Sequence, residues 1–327
     1  MPRRINWENR VGRRFRFRDL HVFFTVVQSG SMAKAAAQLG VSSPTVSEVI
    51  ADLEHAIGVR LFDRSPQGVE PTKYGDALLR RGLAAFDELK QGIRDIEFLA
   101  DPTSGELTIG YPESVAGTVM RQMIERFFER YPRVIMRADI VPAPVFKFSG
   151  LRDRTHDLIL ARMPTPLPDG HLADDTNVEV LFDDPFVVAV GTCSRWARRR
   201  KINLAELVDE PWILPPPNTW SYARVAEAFK ALGLEGPKPK LVTYAMDLRA
   251  NLPASGRFIT VIPKSMLTIE NNRLPLKILP VHLPMRPWPV TILTLKNRSL
   301  SPVVERFIEC AREVAKSIAG KRQSPKS

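Results

Sequence analysis

The hydrophobic and polar positions of the first sixty residues predict short helices separated by glycine stops. An apolar run over residues 19–27 ends at Ser29 and Gly30, which predicts a first helix. Ser31 is suited to cap a second, alanine-rich helix over residues 32–39, because its hydroxyl can accept from a free helical N–H. Gly40 is suited to end that helix, since glycine tolerates the left-handed conformation of a helix C-terminus.

The next segment carries an apolar stripe and a polar face, and it predicts a third helix. Ser43 is suited to cap this helix and Pro44 to occupy its first position, where a missing N–H costs nothing. Apolar residues recur at spacings of three and four, at Val46, Val49, Ile50, Leu53 and Ile57. The opposite face carries Pro44, Glu48, Ala51, Asp52 and His55. Two short helices joined by a glycine-containing turn are typical of a helix-turn-helix.

Residues 60–71 predict a wing after this pair of helices. The segments 60–64 and 69–71 are suited to short strands, and Ser65, Pro66, Gln67 and Gly68 form a turn between them. Residues 18–73 are therefore predicted to form one small domain.

A long helix without proline is predicted over residues 74–101. Its apolar residues alternate at spacings of three and four, at Leu79, Gly82, Phe86, Leu89, Ile93, Ile96 and Ala100. Such a seam is typical of a helix that pairs with another helix. Packing on the chain's own small domain is the alternative, but we expect that domain to be too short for a seam of about 30 Å. The spacing therefore favours dimerisation through Leu79, Phe86, Leu89, Ile93 and Ile96.

Strands alternate with helices in the remaining two thirds of the chain, which predicts a mostly parallel α/β sheet. Strands are predicted at 106–111, 134–141 and 156–161, with a helix over 114–130. A second set is predicted to open with an apolar run at 182–190 and to continue through strands at 212–214 and 240–244 and a helix at 221–232. A strand at 290–295 and a helix at 302–318 are predicted to complete the fold.

Charge adds a candidate partner to this picture. The 327-residue chain, long enough for two or more domains, carries 47 Lys and Arg against 36 Asp and Glu, a net charge of +11. Such a balance favours a polyanion as partner. Residues 1–18 hold seven Arg and one Glu, so a tail over 1–17 could track phosphates or a minor groove, or could simply be solvated. Residues 319–327 form a second basic tail.

Several classes of function find no support in the sequence. Cys193 and Cys310 lack the spacing of a disulfide framework or a zinc site. The five His residues show no metal-ligand spacing, and no nucleophile elbow, dinucleotide-binding glycine motif or P-loop is present. We therefore expect no catalytic residues, no metal and no cofactor. Without a signal peptide or an apolar run of about 20 residues, we expect a soluble cytoplasmic protein with no membrane partner.

Residues 18–75 resemble the winged helix-turn-helix of LysR-type transcriptional regulators. The stretches SMAKAAAQLGVSSPTVSEVIADLEHAIGVRLFDR and VEPTKYG carry the resemblance. The positions in register are Ser31, Ala35, Ala36, Leu39, Val41, Ser42, Pro44, Ser47, Leu53, Glu54, Gly58, Leu61, Phe62, Arg64, Thr72 and Gly75. The resemblance implies that residues 74–101 form the family's dimerising linker helix and that double-stranded DNA, at a promoter or operator, is a partner.

Exposed polar positions of this domain are the candidates for DNA contact, whereas the alanine and apolar positions are best explained as core. The candidates are Ser31, Lys34, Ser42, Ser43, Pro44, Thr45, Ser47, Glu48, Arg64 and Gln67. Two positions depart from the family pattern, which often has Gln at the position of Ser43 and a basic residue at that of Glu48. A carboxylate in the major groove can accept from cytosine, so Glu48 is expected to narrow the choice of sequence at a cost in general affinity.

Residues 105–318 resemble the LysR effector domain, a two-lobed α/β fold similar to type II periplasmic binding proteins. The resemblance implies a first lobe over 105–162 and 267–318 and a second over 163–266, with the chain crossing near Arg162 and returning near Met266. The family's glycine-rich turn before the return departs here, because Phe258 stands where a second glycine is expected.

A small-molecule effector is expected between the lobes, at the ends of strands and the starts of helices. The candidates for its binding are Glu113, Ser114, Arg162, Asn218, Thr219 and Ser221. Glu113 is unusual there, and it either pairs with Arg162 or selects a cationic or hydroxylated effector. Helix capping and loop solvation are the alternative roles for each of these residues.

Together these features predict a ligand-responsive, sequence-specific transcriptional regulator that acts as a homodimer or a homotetramer built from two dimers. An activator of this kind would also contact RNA polymerase, and nucleoid association would follow from DNA binding. Two alternatives remain open: a non-specific architectural DNA-binding protein, and an enzyme built on the two-lobed domain.

Overall fold

The computed structural model describes residues 16–65, 68–141, 148–163, 175–268 and 274–320. The chain divides into two compact units, residues 1–90 and residues 91–327. Within the described ranges, no helix is long and apolar enough to span a membrane. Gln67, most of each basic tail and the return segment after Thr268 lie outside those ranges.

The N-terminal unit begins with the predicted winged helix-turn-helix. Its elements are α1 (Phe17–Ser29), α2 (Met32–Leu39), α3 (Ser43–Ile57), β1 (Phe62–Ser65) and β2 (Gly68–Pro71). Gly30, Gly40 and Gly58 follow the three helices with φ values of 63°, 66° and 83°. Only glycine adopts this left-handed conformation at little cost, so the predicted helix ends are confirmed.

The cap of α3 differs from the prediction by one residue. Ser42, not Ser43, is the N-cap, because its backbone is extended and its Oγ accepts from the Thr45 N–H at 3.3 Å. Ser43 is consequently the first helical residue and Pro44 the second. The prediction was wrong in register alone, since the first four N–H groups of a helix all lack an intrahelical acceptor and proline is tolerated at either position.

Glu54 connects α3 to the wing. Its Oε1 accepts from the backbone N–H groups of Leu61, at 2.7 Å, and Phe62, at 3.2 Å. The side chains of both residues lie in the core of the domain, at 1% and 2% exposure. Glu54 therefore has a structural role in holding the start of β1.

Replacing Glu54 with Ala should destabilise the start of the wing by about 1–3 kcal/mol, because it leaves two buried N–H groups without an acceptor. Glu54→Gln retains the oxygen and should lose much less. Hydrogen–deuterium exchange in peptides covering residues 59–63 of the full chain measures the difference. Equal exchange in the two variants would contradict this role for Glu54.

The predicted apolar seam lies on the helix α4 (Lys73–Ala100), and its two halves differ in how far they are covered. Leu79 packs against the core of the winged domain, and Phe86 lies 5.6 Å from Phe17 and 5.4 Å from Phe24, measured between ring centroids. The expectation that this domain is too short to cover the seam is therefore wrong for its first half, because aromatic residues of α1 reach along the helix. The second half stays open: Leu89, Ile93 and Ile96 are 50%, 58% and 68% exposed.

The C-terminal unit contains two mixed five-stranded sheets. The first comprises β3 (Ser104–Tyr111), β4 (Arg133–Ile140), β5 (Leu158–Arg162), β6 (Thr176–Asp184) and β12 (Trp288–Leu295). The second comprises β7 (Phe186–Gly191), β8 (Trp212–Leu214), β9 (Pro239–Val242), β10 (Ile259–Pro263) and β11 (Leu276–Ile278). The strand orders are β4-β3-β5-β12-β6 and β11-β7-β10-β8-β9.

The pairing corrects the expectation of mostly parallel sheets. In the first sheet β3 pairs in parallel with β4 and β5, whereas β12 pairs antiparallel with β5 and β6. In the second, β8 pairs in parallel with β9 and β10, whereas β7 pairs antiparallel with β10 and β11. Each sheet therefore combines two parallel and two antiparallel pairs.

The crossing points between the lobes also differ from those predicted. The apolar run over 182–190 is two strands, and Pro185 between them carries the chain from the first sheet to the second. The crossing therefore lies at Pro185 and not near Arg162, because β6 adds to the first sheet by pairing along β12. The return lies between β11 and β12 and not near Met266, because β11 still pairs with β7 in the second sheet.

The helices of this unit cover the sheets and flank the gap between them. The longer ones are α5 (Arg121–Arg130), α6 (Trp220–Ala231), α7 (Met246–Asn251) and α8 (Pro302–Gly320), and single helical turns lie at Ser149–Arg152 and Ser265–Thr268. The continuous helix predicted over 114–130 is instead a helical turn, Glu113–Val115, a π-helical segment, Ala116–Met120, and α5. The segment at Leu204–Leu207 is a 3-10 helix.

A buried aspartate joins the end of α4 to the first sheet. Asp157 accepts from Arg94 at 3.0 Å, from Arg298 at 2.9 Å and from the Thr108 N–H at 2.9 Å. Since Thr108 lies on β3 and Arg298 follows β12, this network fixes the second half of α4 within the C-terminal unit.

Candidate DNA-binding surface and interlobe cavity

The candidate DNA-binding surface is the start of α3 with the start of α2 and the wing. Ser42, Ser43, Pro44 and Glu48 are exposed, and Thr45 and Ser47 are partly buried. On α2, Lys34 is exposed, and Ser31 is the N-cap, accepting from the Lys34 N–H at 3.5 Å. Arg64 is exposed on β1, whereas Gln67 lies outside the described residues.

The face of α3 carries the acidic character that the sequence indicates. Glu48 and Asp52 are exposed one turn apart, and Val46, Ile50 and Leu53 on the other side are buried at 2% exposure or less. Within the described part of the chain, neither carboxylate takes part in an ion pair. Both charges are therefore available to whatever meets this face.

The second candidate site is a cavity of about 270 Å³ between the two lobes. Five of the six predicted ligand-binding residues line it: Glu113, Ser114, Arg162, Thr219 and Ser221. The first two follow β3, Arg162 ends β5, and the others begin α6, so both lobes contribute. Asn218 is not part of the lining, but its Oδ1 accepts from the lining residue Tyr244 at 3.5 Å.

Arg162 pairs with an aspartate and not with Glu113. Its Nη1 lies 2.6 Å from Oδ2 of Asp184, and the two side chains are 4% and 0% exposed. Asp184 also accepts from the N–H and the hydroxyl of Ser265, which follows β10. The expected pairing with Glu113 is therefore not found, because Asp184 at the end of β6 provides a buried counter-ion for Arg162.

Thr219 is also a structural residue. It caps α6 by accepting from the Tyr222 N–H at 3.1 Å, and its hydroxyl donates to the Pro216 carbonyl at 2.7 Å. Its Oγ1 lies 3.2 Å from the Oγ of Ser221. The two hydroxyls therefore line the cavity as one hydrogen-bonded pair.

Arg249 is the principal cavity residue that the sequence did not reveal. It is 4% exposed, lies on α7 and lines the cavity with aromatic residues, among them Tyr244, Trp220 and Trp288. Burial lowers the pKa of Arg249 to about 10, even though the charge of Glu113 acts in the opposite direction, so the guanidinium is protonated at neutral pH. The available signal is helical spacing: Met246, Arg249 and Ala250 share one buried face, and a cation on such a face is unusual.

The chain combines a winged helix-turn-helix with a two-lobed α/β unit that surrounds a cavity. This combination is typical of proteins in which one chain joins a DNA-binding module to a ligand-binding module. The family model described as bacterial regulatory helix-turn-helix protein, lysR family, matches residues 17–76, and the LysR substrate binding domain matches residues 100–316. The chain therefore belongs to the LysR family of transcriptional regulators.

Individual relatives agree with this assignment. The HTH-type transcriptional regulator TdcA of Escherichia coli K12 is 29% identical over 251 residues, 76% of this chain and 77% of the relative. Full-length OxyR from Pseudomonas aeruginosa has a TM-score of 0.64 at 19% identity and covers 92% of this chain and 95% of its own. Full-length CbnR in complex with its target DNA has a TM-score of 0.51 at 23% identity, covering 92% and 100%.

The protein is thus a sequence-specific, DNA-binding transcriptional regulator with a C-terminal domain for a small-molecule effector. The predicted combination of a winged helix-turn-helix with a two-lobed α/β domain is confirmed.

Proposed function

We propose that this regulator reads its operator with the exposed start of α3 and responds to an effector bound in the interlobe cavity. The observation that supports both parts is an exposed, polar helix start in the same chain as a cavity enclosed by two lobes. Ser43, Pro44 and Glu48 would meet base edges, and Lys34 and Arg64 would meet phosphates. The remaining candidates for DNA contact are Ser31, Ser42, Thr45, Ser47 and Gln67.

Effector binding would shift a pre-existing equilibrium between open and closed lobes, without chemistry. Because α4 is one continuous helix from the winged domain into the C-terminal unit, it is the element suited to transmit that change. In a dimer the result would be an altered spacing between two winged domains. We further propose that the two-lobed domain has no catalytic activity.

The proposed assembly is a homodimer through the exposed half of α4, and further a tetramer made of two dimers. A dimer would contact half-sites about one turn of DNA apart, or a multiple of it. If the regulator activates transcription, RNA polymerase would be a further partner. Its place in the cell would be the nucleoid.

Binding of the full-length protein to DNA from the promoter beside its own gene tests this function. We expect a discrete footprint and an affinity that falls steeply with salt concentration, because phosphate contacts release counterions. Uniform protection along the DNA would instead support the architectural alternative and contradict the proposal.

Replacing Glu48 with Arg should tighten binding to non-operator DNA and reduce the preference for the operator. The acid repels phosphates and, in the major groove, can accept from cytosine N4, so its loss removes one source of discrimination, worth about 1–3 kcal/mol for a good base contact. Titration of operator and scrambled DNA at equal salt concentration gives the ratio of the two affinities.

Asp209→Arg is the matched control, because it makes the same change of charge at an exposed position of the C-terminal unit. The control should leave the ratio of affinities near that of the unmodified protein. An unchanged ratio in Glu48→Arg would contradict a role for Glu48 in selecting sequence.

A further inference from the structure

The cavity contains a buried cation that has no anionic partner in the described structure. One Nη2 hydrogen of Arg249 is donated to the carbonyl of Val261, and Nε has no hydrogen-bond partner. Among the described residues, no carboxylate lies within 4.0 Å of this guanidinium. Since a guanidinium offers five N–H donors, most of its capacity remains available to a ligand.

The other arginine of the cavity cannot take this role. Arg162 is paired with Asp184 at 2.6 Å inside the hinge between the lobes, and that carboxylate is fully buried. A ligand anion would have to compete with a counter-ion already in place. Arg249 is therefore the cation to which a ligand can bind.

Glu113 supplies an opposite charge from the other lobe, because it follows β3 whereas Arg249 lies on α7. Its carboxylate forms no hydrogen bond or ion pair with any residue of the described ranges. Its charge nevertheless acts on Arg249, where it raises the pKa that burial lowers. The cavity thus contains a cation and an anion that influence each other without being in contact.

The other residues that line the cavity indicate the size and polarity of the ligand. It is largely apolar and includes Ile140, Leu160, Phe186, Trp220, Met246 and Trp288. At about 270 Å³, the cavity is slightly smaller than most ligand sites, which span about 300–1,000 Å³. A compact ligand with an apolar body fits these walls.

We propose that the effector is a small zwitterion, an α-amino acid with an apolar side chain, whose carboxylate binds Arg249 and whose ammonium group binds Glu113. This inference rests on the proposed function of the cavity as the effector site. A guanidinium and a carboxylate form paired, charge-assisted hydrogen bonds, and an ammonium group provides the donor that Glu113 lacks. A plain carboxylate would leave Glu113 unpaired beside a second anion, and a plain amine would leave Arg249 unpaired.

Thermal-shift measurements on the full-length protein with the twenty standard amino acids test the class of ligand, followed by calorimetry on the best binder. Its deaminated and decarboxylated analogues, with the same side chain, complete the series. We expect an apolar amino acid to bind and each analogue to bind at least about 30-fold more weakly, because each leaves one of the two cavity charges unpaired. The proposal would be overturned if none of the twenty amino acids shifted the melting temperature, or if either analogue bound as tightly as the amino acid.

Substitutions at the two charges assign the ends of the ligand. Arg249→Met should abolish binding of the amino acid, whereas Arg257→Met, an exposed arginine of the same lobe, should leave it unchanged. Glu113→Gln should reverse the ranking, so that the deaminated analogue binds at least as well as the amino acid. This second variant keeps Arg249 and its bond to Val261, so it stays informative if Arg249→Met unfolds; an unchanged ranking would overturn the proposal.

Footprints of promoter DNA with the same samples separate this inference from the proposed function. If an analogue alone binds and alters the footprint, the cavity is an effector site and the ligand class is wrong. Loss of a discrete footprint in the ligand-free protein would instead contradict the proposed function.

Discussion

Replacing Asp184 with Ala is expected to destabilise the C-terminal unit by about 3–5 kcal/mol, because it leaves the buried guanidinium of Arg162 without its counter-ion. The side chains of the two residues are 0% and 4% exposed, so water cannot replace the lost carboxylate. The same substitution leaves the Ser265 N–H, which donates to Asp184 at 3.0 Å, without an acceptor.

The position of this cluster explains why its effect should be large. Arg162 ends β5, Asp184 ends β6 directly before the crossing at Pro185, and Ser265 follows β10 of the second sheet. The three residues therefore connect the lobes where the chain passes between them. Denaturant unfolding followed by tryptophan fluorescence measures the loss, since four of the five tryptophans, all except Trp7, belong to the C-terminal unit.

Two further variants make the result specific. Asp183→Ala changes the neighbouring exposed aspartate and should cost no more than about 1 kcal/mol, as is usual for surface charges. Asp184→Leu combined with Arg162→Met should be more stable than Asp184→Ala alone, because an apolar pair of similar volume often replaces a buried ion pair without loss. If the double variant were as unstable as Asp184→Ala, an unpaired arginine would not be the cause.

Local signals made the winged domain predictable. Its helix ends depend on Ser31, Gly40 and Gly58, and each acts through hydrogen bonds or φ values within a few residues of itself. The N-cap of α3 was misplaced because Ser42 and Ser43 have the same chemistry, and only the backbone conformation distinguishes them.

The lobes were less predictable because strand partners are distant in sequence. The segment 176–184 joins the first sheet by pairing with β12, more than one hundred residues later, and nothing in its own composition indicates this. A proline in an apolar run is also ambiguous from sequence: the run over 182–190 predicts the opening of one set of strands, but Pro185 separates two strands of different sheets.

The candidate cavity shows the same division between local and distant information. Glu113, Ser114, Thr219 and Ser221 were found because they lie at strand ends and helix starts, which the local pattern indicates. Which of the charged side chains form ion pairs was not predictable from the sequence. Arg162 is paired with Asp184, whereas no described carboxylate pairs with Arg249. Those differences depend on which side chains the fold brings within 4 Å of each arginine. Asp184 lies directly before the crossing at Pro185, which the sequence places near Arg162 instead.

Replacing Ile93 with Asp should convert the proposed dimer to monomers. Ile93 is 58% exposed on α4 between Leu89 and Ile96, which are also exposed, so the apolar stripe has no cover within the described chain. Burial of an isoleucine contributes about 1.5–3 kcal/mol, and a symmetric interface loses that contribution once from each chain. Because every 1.4 kcal/mol corresponds to about a factor of ten, the dissociation constant of the dimer should rise by about a hundredfold or more.

Sedimentation velocity over a range of concentrations measures this change. Operator binding should also weaken, because two separate monomers then bind the two half-sites independently. Lys90→Gln is the matched control, since it also lowers the charge by one unit, at an exposed position off the stripe. Phe86→Ala provides a contrast: Phe86 packs on Phe17 and Phe24 of its own domain, so its loss should destabilise that domain. A dimer that survives Ile93→Asp but not Phe86→Ala would place the interface on the first half of α4, which aromatic residues of the same chain already cover.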